Sequence, residues 1–353
     1  GWVAAQITAL GLVFSVLTQG AMSETAGMIV GTLAVLVYVV VGGFLAVAWT
    51  DFIQMIVLVI GLSIIAVFSA DLAGGADKVL AMAGQKDLWK FLPEPGFKDV
   101  AMFIGAAVTM MLGSIPQQDV FQRVMSAKNA ETARNGAVIG GVSYILFAFV
   151  PMFIVASAVV VMGQQALDIA KDDYQRLLPT FVLSKMPLIM QILFFGALLS
   201  AIKSTSSATL LAPSTSFVEN ILKNLRPHMG DKQQLLAMRW TIVAFAGLVL
   251  AYAIAMKGTP IYDLVSSAYQ VTLVGAFVPL VVGLYWKRAT TQGAIFSVVA
   301  GITVWIIFFP QISGLGESFP GQLAGLIAAF VGMVFGSLAP QWLRNRHDHE
   351  HHV

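Results

Sequence analysis

The chain has 353 residues, 58% hydrophobic and 11% charged, with a formal net charge of +2 and no cysteine. A soluble domain carries about a quarter charged residues, so this composition belongs in a membrane. The small net charge argues against a nucleic-acid partner, and the lack of cysteine excludes disulfides, thiolate metal sites and cysteine nucleophiles.

Apolar runs long enough to cross a bilayer recur from end to end. The sequence predicts about ten spans: 2–19, 26–43, 51–70, 100–118, 136–162, 187–212, 236–256, 262–285, 291–311 and 319–342. Continuous apolar runs without period-2 alternation predict helices rather than a closed barrel. The expected fold class is an all-α polytopic membrane protein, organised as a single transmembrane domain over residues 1–353. The chain opens GWVAAQ, already inside an apolar run and without a methionine, which predicts that the natural N-terminus is missing.

Residues 42–54 read GGFLAVAWTDFIQ. The glycine pair ends one span and Asp51 opens the next. Two readings stand for Asp51: an N-terminal acid favoured by the helix dipole, or an ion ligand or partner of a buried cation. If the helix starts near Phe44, Asp51 lies about 10 Å along it and the capping reading weakens. Residues 71–99 predict a short surface helix ended by PEPG, and the loop 163–186 holds no separate domain. Residues 112–124 read LGSIPQQDVFQRV, where Gly113 and Pro116 predict a break late in a span. The break reads either as a substrate-binding broken helix or as an exit from the membrane. Gln117 and Gln118 suit a polar solute, whereas Asp119 and Arg123 read as interfacial anchors.

Residues 198–216, LLSAIKSTSSATLLAPSTS, place a lysine deep in an apolar span. At 100° per residue, Ser200, Lys203, Ser204 and Ser207 share one stripe, and Ala201, Ser204, Thr205 and Ala208 an adjoining one. Ser206, Thr209 and Ser214 read as small-residue packing. Lys203 does not, because an ammonium at the bilayer centre costs about 2.5–3.5 kcal/mol on insertion scales. It lies roughly 15 Å or more from either interface, beyond the reach of its stem. The expectation is an ion pair with Asp51, the carboxylate beside a span in the same half of the membrane. Farther on, Tyr269, Gln270 and Thr272 are polar residues in the outer half of a span, and WKRATTQGA (286–294) is a cytoplasmic hinge.

The loops carrying Arg123, Lys128, Arg134, Lys223, Arg226, Lys232, Arg239, Lys287, Arg288, Arg344 and Arg346 form the more basic set. In the alternate loops acids outnumber bases, so the basic set is read as cytoplasmic and the C-terminus with it. The tail 343–353 carries His347, His349, His351 and His352 and reads as a solvated end or a loose metal binder.

Four stretches in order, GGFLAVAWTDFIQ, QQDVFQRVMSAKN, AIKSTSSATLLAPS and LVVGLYWKRATTQGA, resemble patterns of the sodium/solute symporter family, and the resemblance covers essentially the whole chain. It implies a leucine-transporter-type core of two inverted repeats, lacking here its first two core helices, with solute and ions near the midplane. It implies a main sodium site using the Ala201 carbonyl and the Ser204 and Thr205 hydroxyls, an oxygen-only set that suits a hard cation. It implies a second ion site at Asp51 and Ser207, and solute contacts near Gly113, Gln117 and Gln118. Lys203 departs from the pattern, since family members usually carry an apolar residue there. It is expected to stand in for the second cation against Asp51, or to titrate and bring protons into the cycle.

The expected function is secondary active symport of a small polar organic solute (an amino acid, carboxylate, sugar or quaternary amine) with sodium or protons, by alternating access in the inner (plasma) membrane. The alternative is a sensor module of a signalling protein. No cofactor and no enzymatic chemistry are expected, since no nucleophile and base converge.

Overall fold

The computed structural model describes residues 1–86, 90–309, 312 and 315–342; the side chains of 42–48, 118, 119, 122 and 317 fall outside that description. The histidine-bearing tail 343–353 and the side chain of Gln118 therefore lie outside the described residues.

The described chain is built of helices: α1 (Trp2–Leu17), α2 (Glu24–Leu72), α3 (Ala76–Gln85), α4 (Phe97–Leu112), α5 (Gln118–Met125), α6 (Ala130–Met162), α7 (Gln164–Asp173), α8 (Leu177–Lys185), α9 (Leu188–Leu225), α10 (Asp231–Ala255), α11 (Ile261–Tyr285), α12 (Thr291–Ile307) and α13 (Gly321–Leu338). Their starts follow from local chemistry. Ser23, Asn129 and Thr290 each accept a hydrogen bond from a backbone N–H in the first turn of α2, α6 and α12. Seven described stretches are long and apolar enough to cross a membrane, two of them, Glu24–Val41 and Trp49–Leu72, within α2; α1 and α12 are shorter apolar helices.

As one straight rod the 49 residues of α2 would extend about 73 Å, far more than a ~30 Å hydrocarbon core. Tyr38 and Thr50 exclude the rod: their hydroxyls lie 2.5 Å apart. Twelve residues of straight helix would hold them about 18 Å apart, beyond their combined reach. The axis therefore turns between Val41 and Trp49, where the sequence carries its glycine pair. The surface helix expected in 71–99 is α3, which buries Val79 and Ala83.

The described helices pack as two compact units, residues 1–91 with 122–264, and residues 92–121 with 265–353. In the first, α9 packs on α1, α2 and α10 around a core that includes Ile7, Val13, Met28, Ile65, Ile154 and Leu210. Large apolar side chains remain exposed on the outer sides of α2 and α6, among them Phe52, Ile53, Ile56, Val142 and Leu146, as lipid-facing surface requires. In the second, α12 and α13 form a close hairpin against α11. A side chain at Gly301 would collide with the backbone of Val274, so glycine permits this approach.

Candidate functional site

The polar stretch of α9 divides by what its hydroxyls do. Ser206, Ser207, Thr209 and Ser214 are buried, and each donates to the carbonyl four residues back, at 2.8, 2.7, 2.6 and 2.8 Å. Such bonds satisfy a hydroxyl inside its own helix. Ser204 instead leaves α9 and donates to Oδ1 of Asp51 on α2. Thr205 makes no hydrogen bond from its hydroxyl among the described residues. Within the STSSAT core of the stretch, Ser204 and Thr205 thus differ from their neighbours Ser206, Ser207 and Thr209 in not being bonded back to their own helix among the described residues.

Asp51 does not cap a helix. It lies inside α2, just past the turn, with its side chain 19% exposed. Its Oδ2 accepts from Nη2 of Arg123 on α5 at 2.8 Å, and the guanidinium is 42% exposed. A charge-assisted bond of this geometry is strong in isolation. With this much water access its net contribution falls to about 1 kcal/mol or less.

The expected Lys203–Asp51 ion pair is not made. The Lys203 ammonium sits 3.5 Å from the centroid of the Tyr38 ring, and the Tyr38 hydroxyl meets Thr50 Oγ1. Arg123, expected as an interfacial anchor, is the cation that reaches Asp51. The turn in α2 explains the exchange, because it brings Tyr38 back to the level of Thr50 and Asp51. A ring face thereby becomes available to the lysine beside a carboxylate already bonded twice. A cation on a ring gains about 0.5–2 kcal/mol. That offsets part of the insertion cost, and Lys203 remains only partly buried.

Residues 92–121 and 265–353 hold a second polar cluster. Helix α4 ends at Leu112, and Gly113 and Pro116 lie in the turn before α5, as the sequence predicted. Thr272 donates to the Gly113 carbonyl at 2.6 Å and accepts from Gln117 Nε2 at 3.1 Å. A β-carbon at Gly113 would overlap the carbonyl oxygen of Tyr269, so only glycine fits the contact. The hydrogen-bonding of α11 widens to a π-helix over Leu273–Phe277, directly after Thr272. Gly113, Gln117 and Thr272 thus form one hydrogen-bonded group. Gln270 faces elsewhere, accepting from Trp305 Nε1 at 2.9 Å.

Sequence reasoning missed Tyr38 and Thr50, and misread Arg123. Thr50 was visible beside Asp51 in WTD. Tyr38 had no signal, since a phenol in an apolar run reads as packing.

The model of the "Sodium:solute symporter family" matches residues 3–301. High-affinity choline transporter 1 of Caenorhabditis elegans is 27% identical over 97% of this chain and 64% of its own length. The high-affinity proline transporter PutP of Bacillus subtilis is 28% identical, over 91% of this chain and 66% of its own. The sodium/pantothenate symporter of Escherichia coli is 25% identical, over 92% and 67%. Against the first of these relatives, the chain spans less than two thirds of the length. Among solved structures, a Na+-coupled sialic acid symporter in a substrate-bound outward-open state superposes with a TM-score of 0.74 at 19% identity, covering 96% of this chain and 72% of that one. That likeness establishes the fold, an all-α polytopic membrane architecture.

Proposed function

The chain belongs to the sodium:solute symporter family, and we propose on that footing that the protein carrying it is a secondary active transporter. It moves a small polar organic solute inward with sodium by alternating access, and its C-terminus is cytoplasmic. The observation that carries the reading is the exit of Ser204 from its helix to meet Asp51 across the bundle, while Thr205 keeps its hydroxyl uncommitted.

Sodium takes the Ala201 carbonyl and the Ser204 and Thr205 hydroxyls as ligands. Hydroxyl and carbonyl oxygens suit a hard cation, and together they bear no formal charge, which favours a monovalent ion. At the second position, Asp51 and Ser207, we propose that the protein supplies its own cation. Arg123 fills that role, with Lys203 held apart on Tyr38. Ser207 supports this assignment, because its hydroxyl is turned back to the Lys203 carbonyl rather than outward to an ion. For the solute, Gly113 and Gln117, with Thr272 behind them, offer amide and carbonyl groups in a turn where helix bonding is interrupted. Gln118 follows that turn as the first residue of α5. The named relatives carry choline, proline and pantothenate, which are small polar organic molecules. The solute of this protein is proposed to be of that size and polarity.

The test is uptake into proteoliposomes of labelled choline, proline and pantothenate, with an inward sodium gradient, an inward proton gradient, or neither. Accumulation of at least one solute driven by sodium alone is expected. Uptake that follows the proton gradient and ignores sodium would reverse the assignment of the ion.

A further inference from the structure

Beyond the turn in α2, the side chains sort cleanly into two faces. Phe52, Ile53, Met55, Ile56 and Val57 are exposed on one face. Gln54, Leu58, Gly61 and Ile65 recur at helical spacing on the opposite, bundle-facing stripe; Ile65 is fully buried and Gly61 lies under the side chain of Leu193. One member of that apolar stripe is an amide. The Oε1 atom of Gln54 is buried and has no hydrogen-bond donor among the described residues.

The register of α2 on α9 says what this oxygen faces. Asp51 meets Ser204, and Gly61 meets Leu193 and Ala197. Moving forward along α2 therefore moves backward along α9, so the two helices run antiparallel. Gln54 lies one turn past Asp51, about 4.5 Å along the axis. One turn before Ser204 on α9 is Ala201. An amide oxygen without a donor is thus level with the carbonyl proposed above as a sodium ligand.

A buried acceptor left unpaired is costly, and the great majority of such atoms in folded proteins have a partner. A hard cation satisfies an amide oxygen as it satisfies a backbone carbonyl. We propose that Gln54 Oε1 is a further ligand of the coupling cation, extending the Ala201, Ser204 and Thr205 set across the interface onto α2. The assignment rests on the transport reading of α9. It adds a neutral ligand from a second helix, so that sodium bridges α2 and α9 beside the Asp51–Ser204 contact.

The experiment is equilibrium binding of 22Na+ to the purified protein in detergent, with thermal unfolding recorded in sodium-free buffer. Three forms are compared: the unsubstituted protein, Gln54→Met and Gln54→Glu. Methionine keeps the length of the side chain and removes the oxygen; glutamate keeps an oxygen in place. The expected result is a roughly tenfold weaker sodium affinity for Gln54→Met, with a thermal midpoint in sodium-free buffer equal to or above that of the unsubstituted protein, because the unpaired acceptor is gone. Gln54→Glu retains or exceeds the original affinity. Sodium binding unchanged in Gln54→Met, or an equal loss in both variants, overturns the proposal and leaves the transport reading standing. If the unsubstituted protein binds no sodium, the transport reading of α9 falls together with this inference.

Discussion

At the scale of single residues, the two ionisable groups that face the bundle beside α9 are each compensated differently. Asp51 holds Arg123 and Ser204, while Lys203 rests on a ring. The two therefore respond differently to substitution. Lys203→Met places a thioether on the Tyr38 ring, a favourable contact that leaves the Asp51 bonds untouched. Arg123→Ala strips the carboxylate of its cation; with that pair partly exposed, the loss is about 1 kcal/mol or less. Thermal midpoints in detergent should fall for Arg123→Ala and hold or rise for Lys203→Met. The opposite order would restore the lysine as the partner of Asp51. Composition and helical spacing made Lys203 legible as a charge that needed compensation. They did not reveal how it is compensated, because a ring carries no formal charge for such a search to find. A search restricted to carboxylates finds Asp51 and overlooks Arg123, whose own segment reads as interfacial.

At the scale of elements, the spans were largely legible and their internal irregularities only partly so. Hydropathy located the helices, and Gly113 with Pro116 marked the end of α4. The turn within α2 was visible as a glycine pair, but its consequence, Tyr38 returning to Thr50, depends on side-chain contacts that no local pattern encodes. The π-helical turn Leu273–Phe277 had no signal either, since its sequence LVGAF is ordinary for a span. The turn after α4 gives a direct test. Gly113→Ala introduces a methyl group against the Tyr269 carbonyl and must displace the Thr272 bond to the Gly113 carbonyl. Overpacking of this kind costs about 1–3 kcal/mol. The substitution should lower the thermal midpoint and weaken the apparent affinity for solute in uptake, while Thr272→Ser, which keeps the hydroxyl, should leave both near their starting values. Equal behaviour of the two variants would separate this turn from solute binding.

At the scale of the whole molecule, and on the proposed transport reading, the charges already neutralised within the chain restrict how many ions one cycle would carry. Arg123 occupies the Asp51 carboxylate, and the Ser207 hydroxyl is turned toward its own helix. The α9 oxygens proposed as sodium ligands are the Thr205 and Ser204 hydroxyls and the Ala201 carbonyl. One bound sodium is therefore expected per solute, so a neutral or zwitterionic solute crosses with a single net positive charge. The ratio of 22Na+ influx to solute influx in proteoliposomes, and the shift of the zero-flux voltage with the sodium gradient, each report this number. Arg123→Ala provides the internal control. With the guanidinium removed, Asp51 regains an open valence for a cation, and the coupling ratio should move from one toward two as the carboxylate takes a second sodium. A ratio of two in the unsubstituted protein would mean that the guanidinium leaves Asp51 during the cycle, and Arg123→Ala would then change the sodium affinity without changing the ratio.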